Sequence, residues 1–413
     1  MVSKTARRDS GAGSIYESGG RWWCAVTLPS QGGKRRRKVL TGKTRDVVAA
    51  KLRDLNRELA RTGDLTTASP TLEKWLRSWL DTTGARTLKP NTLDSYRGSL
   101  ERYVIPVIGK VRLDKLTPDH VQAVHDYVVR EKGLSSTTAL QAHRVLAKTL
   151  TDAMRQGKVS RNVATLVDAP RKALGHRGSL TADEARALLL SVADDPHAAA
   201  SWSLALFAGL RQGERLGLTR GAVDLERGVA TIEWQLQRLR WRHGCRPVGD
   251  GWRCGRKRAG SCPDRRVNIP AGMEARQVTP ELGLWFTRPK SRAGWRQVPL
   301  AAPLAEVLAR YLDATPPGMA DLVLTRPDGR PIDASDDSAA WHRALAAAGL
   351  PDVSVHSARH TTATLLHRLG VPDQTRIEIL GHSSATVTAG YTRITTPEKA
   401  DAMARLGTLI TGR

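Results

Sequence analysis

The sequence predicts a multidomain chain: a small β-sheet plus helix at the amino terminus, an all-α bundle, and a mixed α+β, mainly helical, carboxy-terminal domain. Three observations carry this expectation. A length of 413 residues exceeds what one hydrophobic core ordinarily organises, so two or three domains are expected. The apolar pattern changes along the chain, from β-prone clusters around Gly turns, to helical spacing, to a mixture of both. Finally, the stretch APRKALGHRGS, Ala169 to Ser179, is rich in Pro, Gly and basic residues without apolar periodicity, which marks 170–179 as a linker.

The first 63 residues hold 15 Lys or Arg against 5 Asp or Glu, a net +10 that makes them a basic module in their own right. Ile15, Tyr16, Trp22, Trp23, Val26 and Leu28 supply β-prone residues around Gly turns, and GGKRRRKVLTG continues the sheet. Apolar Val48, Leu52, Leu55 and Leu59 then recur at helical spacing. The run Lys34, Arg35, Arg36, Arg37, Lys38 suits a polyanion groove as well as it suits a solvated face. From 69 to 169, four segments open on Ser, Thr or Pro and close near Gly or a Thr pair, as helix boundaries require, so four or five helices should bundle. Beyond Leu180, helical stretches alternate with strand-like ones such as VATIEW and RQVPL. The phrase WFTRPKSRAGWRQVPL reads as a β-hairpin turning near Gly294.

A formal charge of +25 points at a polyanion, nucleic acid or an anionic membrane surface. The membrane option is weakened because no run of about 18 apolar residues exists and the opening MVSKTARRDSGAGS has no apolar stretch for a secretory signal. A soluble, cytoplasmic protein is therefore expected. Four cysteines are too few for a disulfide scaffold, and three cluster between Cys245 and Cys262.

In the carboxy-terminal domain, LFAGLRQGERLGL places Arg211 at a helix start with Glu214 three positions on. Lys290 falls on the first arm of the expected hairpin. In VHSARHTTATLLHRLG, His356 and Arg359 stand three apart on one helical face. His382 then precedes Tyr391 by nine residues in LGHSSATVTAGYTRIT. There is no GxxxxGK[ST] phosphate loop and no GxGxxG between strand and helix, so nucleotide hydrolysis is not expected.

The elements AGLRQGE, PKS before a basic strand, HSARH, LGHSS and GYTR, in this order, resemble the tyrosine recombinases, the phage integrase family. The resemblance implies a catalytic domain over 180–413, a core-type DNA-binding domain over 69–169 and an arm-type DNA-binding domain over 1–63. It implies a site-specific recombinase that cuts and rejoins duplexes through a 3′-phosphotyrosine intermediate, integrating or excising a mobile element such as a phage. Tyr391 would be the nucleophile, Arg211 and Arg359 would stabilise the pentacoordinate phosphate with His382 as a further donor, Lys290 would protonate the leaving 5′ hydroxyl, and His356 would accept or relay the tyrosine proton. Glu214 would buttress the site. A protein nucleophile conserves the phosphodiester energy and a phenol with a pKa near 10 is a fair leaving group, so ATP is not needed; no catalytic metal is called for, because arginine and lysine already neutralise the phosphate. The implied partners are double-stranded attachment sites, further copies of the chain as a homotetramer on DNA, and directionality or architectural helper proteins. A DNA-binding regulator with an idle fold and a relaxing topoisomerase are the competing functions.

One segment departs from the family pattern. An insertion at about 236–266 carries His243, Cys245, Cys254 and Cys262, as many ligands as a closed tetrahedral zinc site needs. The spacing is irregular and lacks a CxxC knuckle, so free thiols clustered in a basic loop stand as the alternative to a structural zinc.

Overall fold

The computed structural model describes residues 14–31, 34–62, 69–173, 178–249, 251–279, 281–289, 294–381 and 397–412, the side chains of 29–31, 34, 35, 58 and 60–62 excepted. The described residues within Met1–Ala85 and Leu93–Ala173 form one compact unit, and those within Arg86–Thr92 and Leu174–Arg413 form a second. Among them, no helix is long and apolar enough to cross a membrane.

The first unit begins with three antiparallel strands, β1 (Ser14–Ser18), β2 (Arg21–Gln31) and β3 (Lys34–Gly42), in the order β1-β2-β3. Tyr16 pairs with Trp23, and Trp23 pairs in turn with Thr41. Alternation sends Cys24, Val26 and Leu28 to one face, where Val48, Leu52 and Leu55 of helix α1 (Arg45–Thr62) close a small core. Lys51 Nζ donates to the Thr41 carbonyl at 2.8 Å and ties the helix to β3. The basic run thus lies on β3, with the Arg37 side chain exposed. Lys34 and Arg35 fall outside the described side chains.

Four helices follow, each with a legible start. Helix α2 (Leu72–Trp79) is capped by Thr71, and α3 (Pro90–Ser99) runs on through a wider turn at Leu100–Val104 to Ile108. Helix α4 (Pro118–Asp126) opens on Thr117 in a capping box with His120, and α5 (Ser136–Arg155) on Ser135. Their shared interior holds Trp75, Leu76, Trp79, Leu100, Val104, Val128, Leu146 and Leu150, all buried. Trp79 Nε1 donates to Asp152 Oδ2 at 2.9 Å, and Lys148 Nζ lies 2.6 Å from the same oxygen. His125 and His143 also meet inside the unit, Nε2 to Nδ1 at 3.1 Å.

The second unit is mainly helical: α6 (Ala182–Ser191), α7 (Pro196–Leu206), α8 (Gln212–Leu216), α9 (Ala302–Ala314), α10 (Ala334–Ala347), α11 (Val355–Arg368), α12 (Asp373–Leu380) and α13 (Pro397–Thr411). A core including Phe207, Leu304, Leu308, Leu366, Met403 and Leu406 joins them, with the Trp202 and Trp341 rings edge to face at 5.1 Å.

Small sheets lie between α8 and α9. Strands β4 (Val223–Asp224), β5 (Val229–Ile232) and β11 (Arg296–Pro299) form the order β11-β5-β4, whereas β6 (Gln235–Arg238), β10 (Leu284–Thr287) and β9 (Ala275–Gln277) form β6-β10-β9. The hairpin expected around Gly294 is therefore corrected: its arms, β10 and β11, pair with β6 and β5, not with each other. Strand β5 ends at Ile232 and β6 starts at Gln235, so Glu233 and Trp234 divide the ribbon and each part takes a separate partner. Arg288 is stacked between Trp234 and Trp295, 3.8 and 4.1 Å from their ring centroids, and is paired with Glu233 and Glu274. That sandwich fixes both stems of the 290–293 segment. Lys290 itself lies outside the described residues.

Candidate functional site

Arg211 is the residue from which α8 starts, and its backbone N–H donates to Glu214 Oε2 at 3.0 Å, half of a capping box. The Arg211 side chain folds over the same carboxylate, Nη1 to Oε1 at 2.6 Å. Glu214 is 1% exposed. Its second oxygen accepts from Arg296 Nη2 at 3.0 Å, so the carboxylate lies between two guanidiniums. Burial by itself would raise the Glu214 carboxyl; the charges and hydrogen bonds of Arg296 and Arg211 overcome that and hold it at about 2.

Arg359 enters from α11, buried at 2% exposure, with Nη1 donating to the Gly209 carbonyl at 2.9 Å and Nη2 to the Leu380 carbonyl. Burial, followed by the charges of Arg211 and Arg296, lowers its guanidinium to about 9, with Glu214 opposing. Arg211 and Arg296 pair with the one carboxylate, and Arg359 adds a third guanidinium close enough to feel all three charges. The cluster carries an excess of positive charge in a buried setting, where an anion would be favoured.

All three arginines converge on one helix end. The last carbonyls of α12 have no partner within the helix and carry the negative end of its dipole. Arg296 Nε donates to Ile379 O at 2.7 Å, Arg359 Nη2 to Leu380 O, and Arg211 Nη2 to Gly381 O at 2.7 Å. Gly381 adopts φ +66°, the left-handed cap that stops the helix. Residues far apart in sequence therefore grip the three residues, Ile379 to Gly381, that lead into His382. His382 and Tyr391 lie outside the described residues.

His356 is exposed in the otherwise buried first turn of α11, its ring edge-on to His360 at 4.8 Å, while Arg359 one turn later is buried. Sequence reasoning missed Arg296, whose signal is register: Arg296 and Val298 share the inward face of β11, an odd place for an arginine unless it is paired. It also missed Arg215. That residue is fully buried with Asp337, Nη2 to Oδ2 at 2.6 Å, its guanidinium 4.8 Å from the Trp202 ring centroid, which anchors α8 from beneath.

The insertion brings His243, Cys245, Cys254 and Cys262 together, with one ligand atom from each within 4.8 Å of the others. The loop proper begins at Leu239, because Gln235–Arg238 belongs to β6.

The family model described as "Phage integrase family" matches residues 266–398, and that described as "Phage integrase, N-terminal SAM-like domain" matches 71–128. An integrase of Saccharopolyspora erythraea is 29% identical over 440 residues, covering 100% of both chains. A XerC-like tyrosine recombinase of Caldanaerobacter subterraneus subsp. tengcongensis is 23% identical, covering 95% of this chain and 98% of the relative. In fold, the chain is similar to the Tn1549 transposon integrase solved with a circular intermediate DNA: TM-score 0.58, 20% identity, 82% of this chain and 100% of that one.

Proposed function

We propose, from the premise that this chain belongs to the phage integrase family of tyrosine recombinases, that it joins and separates DNA segments at specific sites through a 3′-phosphotyrosine link. The mobile element it integrates or excises would be a phage or a plasmid. The observation that carries this reading is the triple arginine grip on the Ile379–Gly381 carbonyls, which gathers an excess of positive charge on the residues that precede His382 in sequence.

The chemistry follows from that charge. Tyr391 attacks a backbone phosphate, displacing the 5′ oxygen and keeping the 3′ phosphate as a phenol ester. Negative charge gathers on the nonbridging oxygens, where Arg211, Arg359 and His382 donate. Lys290 supplies a proton to the departing oxygen, and His356 takes the phenol proton. Glu214 holds the Arg211 and Arg296 guanidiniums apart in fixed orientations, so that the donors are ordered before DNA arrives. Exchange between two duplexes cuts four strands, which calls for four protomers on the DNA, each contributing one tyrosine. The basic sheet of β1–β3, with Lys34 to Lys38 along β3, would hold DNA away from the cleavage point.

The test uses a pool of nicked duplexes with randomised core sequence, from which covalently captured DNA is sequenced. Arg211→Ala and Arg359→Ala should each lower capture by at least about a hundredfold, the scale for losing one charge-stabilising donor, with far smaller changes in DNA affinity. Capture without sequence preference would favour a topoisomerase. Equal losses of capture and affinity would contradict the assignment of these residues to the transition state.

A further inference from the structure

The 239–266 loop holds nine Lys or Arg against two Asp. Such a segment repels itself and has little apolar surface to bury. Its Val248 and Trp252 side chains are 55% and 38% exposed. Yet its described residues take a defined arrangement. Its stem closes through the pair Arg242 and Arg266, N to O at 2.7 and 3.0 Å, and two short strands, β7 (Pro247–Val248) and β8 (Gly251–Trp252), pair within it. At Gly244 a Cβ would lie 1.9 Å from the Asp264 carbonyl, so the two strands of the stem can close only on glycine. Apart from Leu239 at its base, the buried residues among those described in the loop are cysteines: Cys245 at 8% and Cys262 at 0% exposure.

The four side chains are arranged as ligands. Cys254 Sγ lies 3.5 Å from His243 Nδ1, Cys245 Sγ 3.9 Å from the same nitrogen, and Cys262 Sγ 3.7 Å from Cys245 Sγ. Bonds of about 2.3 Å to sulfur and 2.0 Å to nitrogen at tetrahedral angles put two sulfurs about 3.8 Å apart and a sulfur and nitrogen about 3.5 Å apart. The observed separations match those edges and are far longer than the roughly 2.05 Å of a disulfide. The His243 ring is stacked on Trp252 at 4.4 Å with 6° between planes, which fixes the direction of Nδ1.

We infer that His243, Cys245, Cys254 and Cys262 form a closed structural zinc site that staples this loop. Three thiolates and one imidazole are the donor set that zinc takes in structural sites, and with four protein ligands no position remains for water or substrate. A zinc ion with three thiolates and neutral imidazole carries a net single negative charge, offsetting part of the cationic excess of the loop. The staple displays Arg246, Arg253, Arg256 and Lys257 on its exposed side, a surface suited to phosphates if the DNA reading holds.

Metal content is read without DNA, so failure here is distinct from failure of the recombinase reading. The full chain, purified without a metal-affinity tag, should contain about one equivalent of zinc by elemental analysis. Exchange into Co²⁺ should give the intense visible absorption of tetrahedral thiolate coordination. Cys254→Ser and His243→Ala should each lose the metal and the cobalt band and expose Arg242 to Arg266 to protease, whereas Cys24→Ser, outside the cluster, should keep all three properties. A variant that fails to fold is replaced by mercurial titration of the native chain, which should release zinc in step with three thiols. A metal-free native preparation, no tetrahedral cobalt spectrum, or zinc retained by Cys254→Ser would overturn the site.

Discussion

Replacing Glu214 by Gln removes one negative charge from between two guanidiniums while keeping the shape of the side chain. The folded protein holds this carboxyl at about 2 against an ordinary 4.5, a shift worth roughly 3 kcal/mol in favour of the charged form. Losing that contribution leaves Arg296, 4% exposed, buried without its counter-charge, the situation in which breaking a buried pair costs about 3–5 kcal/mol. For a domain the size of the second unit, roughly 3 kcal/mol lowers the thermal midpoint by about 6–12 °C. The sign with pH is specific. A carboxyl depressed in the folded state contributes stability that is fully present above about 4.5 and disappears as pH falls toward about 2. Thermal unfolding of Glu214→Gln and the parent at pH 7 and across pH 4.5 to 2.5 should show a large gap at neutrality that narrows on acidification. Equal midpoints at pH 7, or a gap that does not narrow, would refute the argument that Glu214 acts as a buried anion.

Three further outcomes follow from the same structure. Arg296→Met should lower DNA cleavage by about 10- to 100-fold, the scale of a misplaced reacting group, with DNA affinity held within a few-fold; unchanged cleavage in a pulse assay would remove Arg296 from the grip on α12. Asp337→Ala strands the fully buried Arg215 and should cost about 3–5 kcal/mol of stability by urea unfolding; a loss below about 1 kcal/mol would contradict it. In the first unit, burial, then the charge of His143 on His125 and of Arg144 on His143, lowers both imidazoles from 6.5. The unfolded chain therefore takes up protons more readily than the folded one, so urea midpoints should fall as pH drops below about 6.5. His143→Asn should flatten that slope, and an unaltered slope would assign it elsewhere.

The sequence made Arg211, Glu214 and Arg359 legible because short-range motifs in a fixed order carry them, and Glu214 three residues after a helix start is also a local capping pattern. Arg296 and Arg215 were not legible for the opposite reason. They are two cations among 65, and what distinguishes them is a buried partner, Glu214 or Asp337, distant in the chain. The pairing of β10 and β11 with β6 and β5 was hidden similarly. Local turn chemistry near Gly294 favours a hairpin, whereas the strands that take its two arms, β6 and β5, lie far back in the chain. Helix starts between 69 and 169 were legible because Thr71, Thr117 and Ser135 act on their own helices. In the loop, the ligand types were visible but their irregular spacing fixed no geometry, which came from the Arg242–Arg266 stem and the Gly244 close approach.

The central claim is a covalent link between DNA and one phenol. Trapping the protein on a nicked suicide duplex, digesting the adduct with protease and nuclease, and sequencing the nucleotide-bearing peptide by mass spectrometry tests it directly. A single modified residue, Tyr391, bearing a 3′ phosphate is expected, with no denaturant-resistant adduct from Tyr391→Phe although that variant still binds DNA. A nucleotide on any other residue, or an adduct that survives Tyr391→Phe, would contradict it.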